Sequence, residues 1–156
     1  MTSNARETSV HATIVVVGEA GILIRGRSGA GKSQLAQALI AEGQARGVFA
    51  RLVADDRVRL CVAGSRVVAR PPLAIAGVIE ERGTGLLEIG HEPAVVVNCL
   101  VDLDAAETAD GRHARLPEAS DAWDDLLGVS VARIRLDGDL SAGEAARRVL
   151  RRVGRT

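Results

Sequence analysis

Tyrosine is absent from this 156-residue sequence, and the other aromatic side chains are one phenylalanine, Phe49, and one tryptophan, Trp123. Proteins that hold single-stranded nucleic acid stack bases on aromatic platforms, so the chain lacks the means for that mode of binding. Charge of one sign is also missing. The 20 acidic and 20 basic residues balance, and no global field points to nucleic acid or an anionic membrane surface. No apolar run is long enough to span a bilayer, and the opening MTSNARETSV has no hydrophobic segment of a secretory signal. These absences predict a cytoplasmic protein with no nucleic-acid or membrane partner. Cysteine occurs twice, at Cys61 and Cys99, without CxxC spacing or a neighbouring histidine. That usage fits buried thiols in a reducing compartment better than a disulfide frame or a zinc site.

What remains is 47% hydrophobic and 26% charged, the composition of one compact domain over 1–156, with 1–9 expected to be disordered. No internal repeat is present. Runs of β-branched and apolar residues predict strands at Val10 to Val17 and Gly21 to Arg25, joined as a hairpin through Gly18-Glu19-Ala20. Leu35, Leu39 and Ile40 recur at helical spacing, and Gly43 is placed to end that helix in the left-handed conformation. Further strands are predicted at Arg51 to Ala54, Arg57 to Val62, Arg66 to Ala69, Leu86 to Ile89, Val95 to Asp102 and Val131 to Leu136. Ala105 to Asp121 breaks the periodicity and reads as a loop, a candidate lid. A last helix starts at Ser141, with Glu144 completing a capping box, and runs to about Val153.

The strongest chemical signal is Gly26-Arg27-Ser28-Gly29-Ala30-Gly31-Lys32-Ser33, a full match to GxxxxGK[ST] between a predicted strand and a predicted helix. In such a loop the glycines let consecutive N–H groups curl around phosphate oxygens, and the helix N-terminus adds partial positive charge. Lys32 reaches the β and γ phosphates and Ser33 ligates Mg²⁺. Lys32 is the one lysine against 19 arginines. A compact ammonium stands where a planar guanidinium would fit poorly between phosphates. The cofactors so implied are ATP and Mg²⁺. A GTPase is disfavoured, because no NKxD segment reads guanine; Asn98-Cys99-Leu100-Val101 is the nearest failure.

Downstream, LVADDRV ends an apolar strand on Asp55 and Asp56. There a carboxylate can hold Mg²⁺ beside the phosphate loop, and its neighbour, pointing another way, can accept a proton from an attacking hydroxyl. The plainer alternative is a solvated turn paired with Arg57 or Arg59.

With these residues in view, the chain resembles the catalytic domain of the HPr kinase/phosphorylase family, enzymes that phosphorylate a serine of the phosphocarrier protein HPr. The resemblance rests on His11, fifteen positions before Gly26, on the loop Gly26 to Ser33, on Leu52 to Val58, and on Glu80-Glu81-Arg82-Gly83-Thr84-Gly85-Leu86-Leu87, similar to the family's E-x-R-G-x-G. It implies an α/β fold, the P-loop type related to phosphoenolpyruvate carboxykinase, with a mixed sheet and flanking helices. It also implies protein serine kinase activity on an HPr-like carrier, within the regulation of carbohydrate metabolism through the phosphotransferase system. Asp56 is then the general base of phosphorylation and the general acid of the reverse phosphorolysis. Asp55 assists with metal and geometry, Glu80 with Mg²⁺, Arg82 through the signature, His11 at the site's edge and Arg115 as an arginine on a mobile loop.

Departures from the family are visible too. Ten residues precede His11, where longer members carry an N-terminal domain, so the expectation is a catalytic domain alone. Gln44 to Ala50 reads as an insertion that lies over the nucleotide. The glycine-arginine-asparagine pattern tied to phosphorolysis is not found, and Val131 to Asp137 offers Arg133 and Arg135 instead. Arg147, Arg148, Arg151, Arg152 and Arg155 form a solvated face of the last helix or a docking surface for an acidic partner. A homo-oligomer is left open. The rival readings are a small-molecule P-loop kinase and an ATP-binding sensor without phosphotransfer.

Overall fold

The computed structural model describes residues 7–72, 78–81, 85–88, 93–104, 122–137 and 140–154, with 78–81, 85–88, 104 and 137 described by their backbone. In chain order the elements are β1 (Glu7–Val10), β2 (Thr13–Val17), β3 (Ala20–Gly26), α1 (Lys32–Ala45), β4 (Ala50–Ala54), β5 (Val58–Ala63), β6 (Arg66–Arg70), β7 (Val78–Glu81), β8 (Gly85–Glu88), β9 (Val95–Asp104), β10 (Trp123–Leu126), β11 (Val129–Asp137) and α2 (Ala142–Val153). The predicted hairpin is there, with β2 antiparallel to β3. The main sheet is mixed. It runs β1-β5-β6-β9-β3-β2-β4, and β11 pairs with β9 and β10. The long β9 changes partner along its length: Val95 and Val96 pair with β6, while Cys99 to Asp104 pair in parallel with β11.

The sheet is covered on both sides, so the five residues of β2, TIVVV, are all buried. Alternation along the strands divides the core. Val15, Ile22, Ile24, Cys99 and Val101 pack with Leu35 and Leu39 of α1 and with Ala146 and Val149 of α2. Ile14, Val16, Leu23 and Leu100 pack on the other face with Val58, Leu60 and Val67. Each fully buried Leu, such as Leu39, contributes roughly 1.5–3 kcal/mol. Ser141 caps α2 as expected, its Oγ accepting the Glu144 N–H at 3.2 Å.

Several expectations are corrected. Residues 7–9, expected to be disordered, form β1 with Val10, paired in register with Val58 to Cys61 of β5. The strand predicted as continuous over Val10 to Val17 is broken at His11–Ala12, because β1 and β2 pair in different halves of the sheet and the chain bends to cross between them. Gly43 does not end the first helix, which continues to Ala45. Gly47, at φ 72°, takes the left-handed turn instead. Gly43 is needed for space: a Cβ there would sit 2.9 Å from Ala50 Cβ and 3.1 Å from Val17 Cγ1. The segment 44–50 does not lie over the glycine loop. Its Phe49 carbonyl accepts the Gly18 N–H at 2.6 Å, which fastens it to the β2–β3 turn at the opposite end of the sheet. Short strands β1, β7 and β10 were not predicted, since four residues carry too little pattern. The candidate lid, Ala105 to Asp121, lies outside the described residues.

Candidate functional site

β3, β9 and β11 run parallel, and β4, antiparallel to β2, runs with them. Their carboxyl ends therefore share one edge, where α/β sheets bind ligands. Gly26 to Ser33 follows β3 at this edge and Asp55-Asp56 follows β4. The loop's backbone turns through two left-handed glycines: Gly29 and Gly31 have φ of 83° and 97°, and Ala30 N–H donates to the Arg27 carbonyl at 3.0 Å. Gly31 caps α1 without a side-chain hydrogen bond, and the first turn contains no acidic residue, so its N–H groups and partial positive charge face whatever the loop encloses. Lys32 is buried, 7% exposed, and its Nζ donates to the carbonyls of Gly26 at 2.9 Å and Arg27 at 3.1 Å. An ammonium has three donors, which leaves one for an anion in the loop.

Asp55 is tied to this loop. Ser33 Oγ donates to its carboxylate, with Oδ1 at 3.1 Å and Oδ2 at 3.3 Å, and the fully buried Thr13 donates to Oδ1 at 2.8 Å. Thr13 was not singled out from the sequence; within an apolar strand it reads as one more β-branched residue. The hydroxyl and carboxylate oxygens of Ser33 and Asp55 are hard donors of the kind Mg²⁺ takes. Among the described residues no group of three His, Cys, Asp or Glu is placed to hold a metal, so a cation here would also draw on phosphate and water oxygens.

Asp56 sits differently. The chain crosses from β4 to β5 at Asp55–Arg57, and Arg57 N–H donates to the Asp55 carbonyl at 2.8 Å, closing a three-residue turn around Asp56. Asp56 has φ 69°, a conformation that costs a non-glycine residue of order 1–3 kcal/mol. The β1–β2 crossing lies alongside, joined by Ala12 N–H to the Asp56 carbonyl at 3.2 Å. That juxtaposition brings His11 Nδ1 to 3.2 Å from Asp56 Oδ1, with 44% and 73% of their side chains exposed. The two neighbouring carboxylates thus face different ways: Asp55 toward the glycine loop, Asp56 toward His11 and solvent.

Beneath this edge is a charged cluster the sequence did not announce. Arg25, the residue before Gly26, donates to both oxygens of Asp102, at 2.7 and 2.9 Å, and to Asp124 at 2.7 Å. Arg133 donates to Asp102 at 2.6 Å. The Asp102 and Asp124 hydrogen bonds raise the Arg25 pKa against the opposing effect of burial, and Arg25 holds the Asp124 carboxyl below its ordinary value. The one available signal was Asp102, the lone charged residue in the largely apolar run VVVNCLVDL. Glu80 lies on β7, which pairs with β8, but its side chain is outside the described residues; Arg82 and Arg115 lie wholly outside them.

Over residues 2–144 the chain matches the family described as HPr Serine kinase C-terminal domain. The chain belongs to that family. It is 36% identical over 140 residues to the HPr kinase/phosphorylase of Enterococcus faecalis, an alignment covering 85% of this chain and 42% of that protein. It is 32% identical over 139 residues to the HPr kinase/phosphorylase of Clostridium perfringens, covering 85% of this chain and 43% of the relative. The chain thus spans less than half the length of these curated relatives. Among solved structures it is similar to the HPr(Ser) kinase/phosphatase from Coxiella burnetii, with a TM-score of 0.69 at 24% identity, covering 95% of this chain and 96% of that one. The likeness supports the α/β fold of an HPr kinase C-terminal domain, a mixed sheet with, among the described residues, two helices.

Proposed function

We propose that this HPr kinase C-terminal domain is an ATP- and Mg²⁺-dependent protein serine kinase acting on an HPr-like phosphocarrier, built on the P-loop fold of the phosphoenolpyruvate carboxykinase-like type. The observation that carries the proposal is the division of labour at Asp55-Asp56. One carboxylate is bonded to Ser33 of the glycine loop, and the other is turned to His11 with 73% of its side chain exposed.

The loop N–H groups and Lys32 bind the triphosphate and orient its terminal phosphoryl group. Ser33 and Asp55 would hold Mg²⁺, which supplies neutralisation of the charge on the phosphate oxygens. A seryl hydroxyl of the partner attacks the γ-phosphorus. The new O–P bond forms as the bond to the ADP oxygen breaks, and the hydroxyl proton passes to the Asp56 carboxylate. His11 keeps that carboxylate aimed. Glu80 as a further metal ligand, and Arg82 and Arg115 as stabilisers of transferring charge, complete the set of proposed roles. Reverse phosphorolysis would run through the same residues, with Asp56 as acid. The work is assigned to a cytoplasmic protein; a carrier protein is the partner, and neither nucleic acid nor membrane is.

Incubation with γ-labelled ATP, Mg²⁺ and a purified HPr-like protein tests this directly. Label on the carrier's serine is expected, with Asp56→Asn keeping nucleotide affinity while transfer falls roughly 10²–10⁴-fold. Label on a small metabolite would favour a metabolite kinase. ATP binding without transfer to any acceptor would favour a sensor.

A further inference from the structure

At the end of the sheet away from the glycine loop there is a cavity of about 410 Å³. Its distance from the loop follows from the strands. Val17 and Ala20 line it, and they lie at the turn end of β2 and β3, while Gly26 ends β3 after seven residues, roughly 20 Å away at about 3.3 Å per residue. The volume is that of a small-molecule site, which needs apolar walls and a few placed polar groups. Both are present. Trp123 of β10 forms one wall, 57% exposed in a chain with no other tryptophan, and Val153 of α2 adds apolar surface.

The polar groups come from two elements. β9 has a register irregularity opposite Gly21–Ile22, where Gly21 pairs with Val97 and Ile22 with Cys99, leaving Asn98 as the extra residue. Bulges re-aim side chains. Here Asn98 Oδ1 accepts the Gly21 N–H at 3.1 Å, which fixes the amide and leaves its NH₂ donors at the cavity. Arg152, in the last turn of α2, lines the cavity from the other side and has no ion-pair partner among the described residues. Its full charge, with Arg151 beside it, outweighs the roughly half unit of negative charge at the helix end. The floor is Cys99, 3% exposed, whose thiol stays neutral and adds no competing charge. Glu19 on the rim disfavours a second negative charge on the occupant.

We infer that this cavity is a binding site, separate from the glycine loop, for a small monocarboxylate with a flat apolar body: the carboxylate on Arg152 and the Asn98 amide, the body against Trp123. Such a ligand would wedge between α2 and the sheet. α2 packs on α1, with Arg147 Nη1 3.4 Å from Glu42, and α1 begins at the glycine loop, so the occupied cavity touches a helix that is packed on the one carrying Lys32.

A single tryptophan makes the test direct, since its indole N–H produces one cross-peak in a nitrogen–proton correlation spectrum of the labelled chain. Titration with benzoate is expected to move that peak saturably, with a Kd in the range of about 0.1–5 mM suited to a fragment. Arg152→Gln, a change at an exposed side chain, and substitution of neutral benzamide for benzoate should each weaken binding by about tenfold or more. Saturating ADP should leave benzoate bound. The inference is overturned by a shift that stays linear to about 20 mM, by equal affinity in Arg152→Gln, or by displacement of benzoate by ADP. It is equally overturned if the indole peak moves with protein concentration alone and ignores benzoate, which would assign the surface to a second copy of the chain.

Discussion

Arg25 and Asp102 face each other across the parallel pairing of β3 and β9, joined by two hydrogen bonds of 2.7 and 2.9 Å. Asp102 also takes Arg133, so one carboxylate, its side chain 12% exposed, holds two guanidinium groups. Asp102→Asn would leave both cations short of their counter-charge, with Arg25 retaining Asp124. A loss of about 3 kcal/mol is expected, read as a lower urea midpoint at unchanged slope. Because Arg25 leads into Gly26, weakened nucleotide affinity should accompany it, measurable by titration with ADP.

Asp124 contributes through the same arginine, and its share depends on pH. Its folded pKa is held below the ordinary 3.8, first by the hydrogen bond from Arg25. A depressed carboxylate pKa gives stability that is complete above the unfolded value and is lost as pH falls through the folded one. Asp124→Asn should therefore be less stable than the parent near neutrality. The gap should close as the pH drops below about 3.8, read from urea midpoints taken stepwise downward.

Asp56 is where strain and proposed chemistry coincide, and glycine separates them. With φ 69°, Asp56→Gly removes a backbone conformation disfavoured by of order 1 kcal/mol. The variant should hold or gain stability while phosphotransfer to the carrier falls roughly 10²–10⁴-fold. Loss of stability in step with activity would instead make the His11–Asp56 contact a structural one.

Gly43 supplies the opposite case. Alanine is the better helix former by about 1 kcal/mol, and helix propensity alone predicts a gain from Gly43→Ala. The added Cβ would press on Ala50 at 2.9 Å and Val17 at 3.1 Å, so a net loss of about 1–3 kcal/mol is expected by chemical denaturation.

The glycine loop, the β2–β3 hairpin and the Ser141 cap were legible in the sequence because each is a local pattern: fixed spacing, short-range alternation, or a side chain bonding a backbone three residues on. The pair Asp55-Asp56 was legible as chemistry, and its two orientations follow from the bend between β4 and β5. His11 was named only through family likeness; the crossing that places it beside Asp56 joins residues 45 positions apart. Thr13, with Asp55 42 residues on, carried no signal at all.

The sequence by itself determined a glycine loop of the form GxxxxGK[ST] between a strand and a helix, a strand delivering two carboxylates after it, and a charge-balanced chain, because these depend on residue type and near spacing. Tertiary structure decided which strands share an edge, and with that which carboxylate meets Ser33 and which meets His11. It also decided that Arg25, Asp102 and Asp124 form one cluster, over separations of 77 and 99 residues. It moved the 44–50 segment to the far end of the sheet. The physical reason is that sheet pairing is a long-range choice: it is made by burial of both faces at once, and no short window of residues contains the partners that settle it.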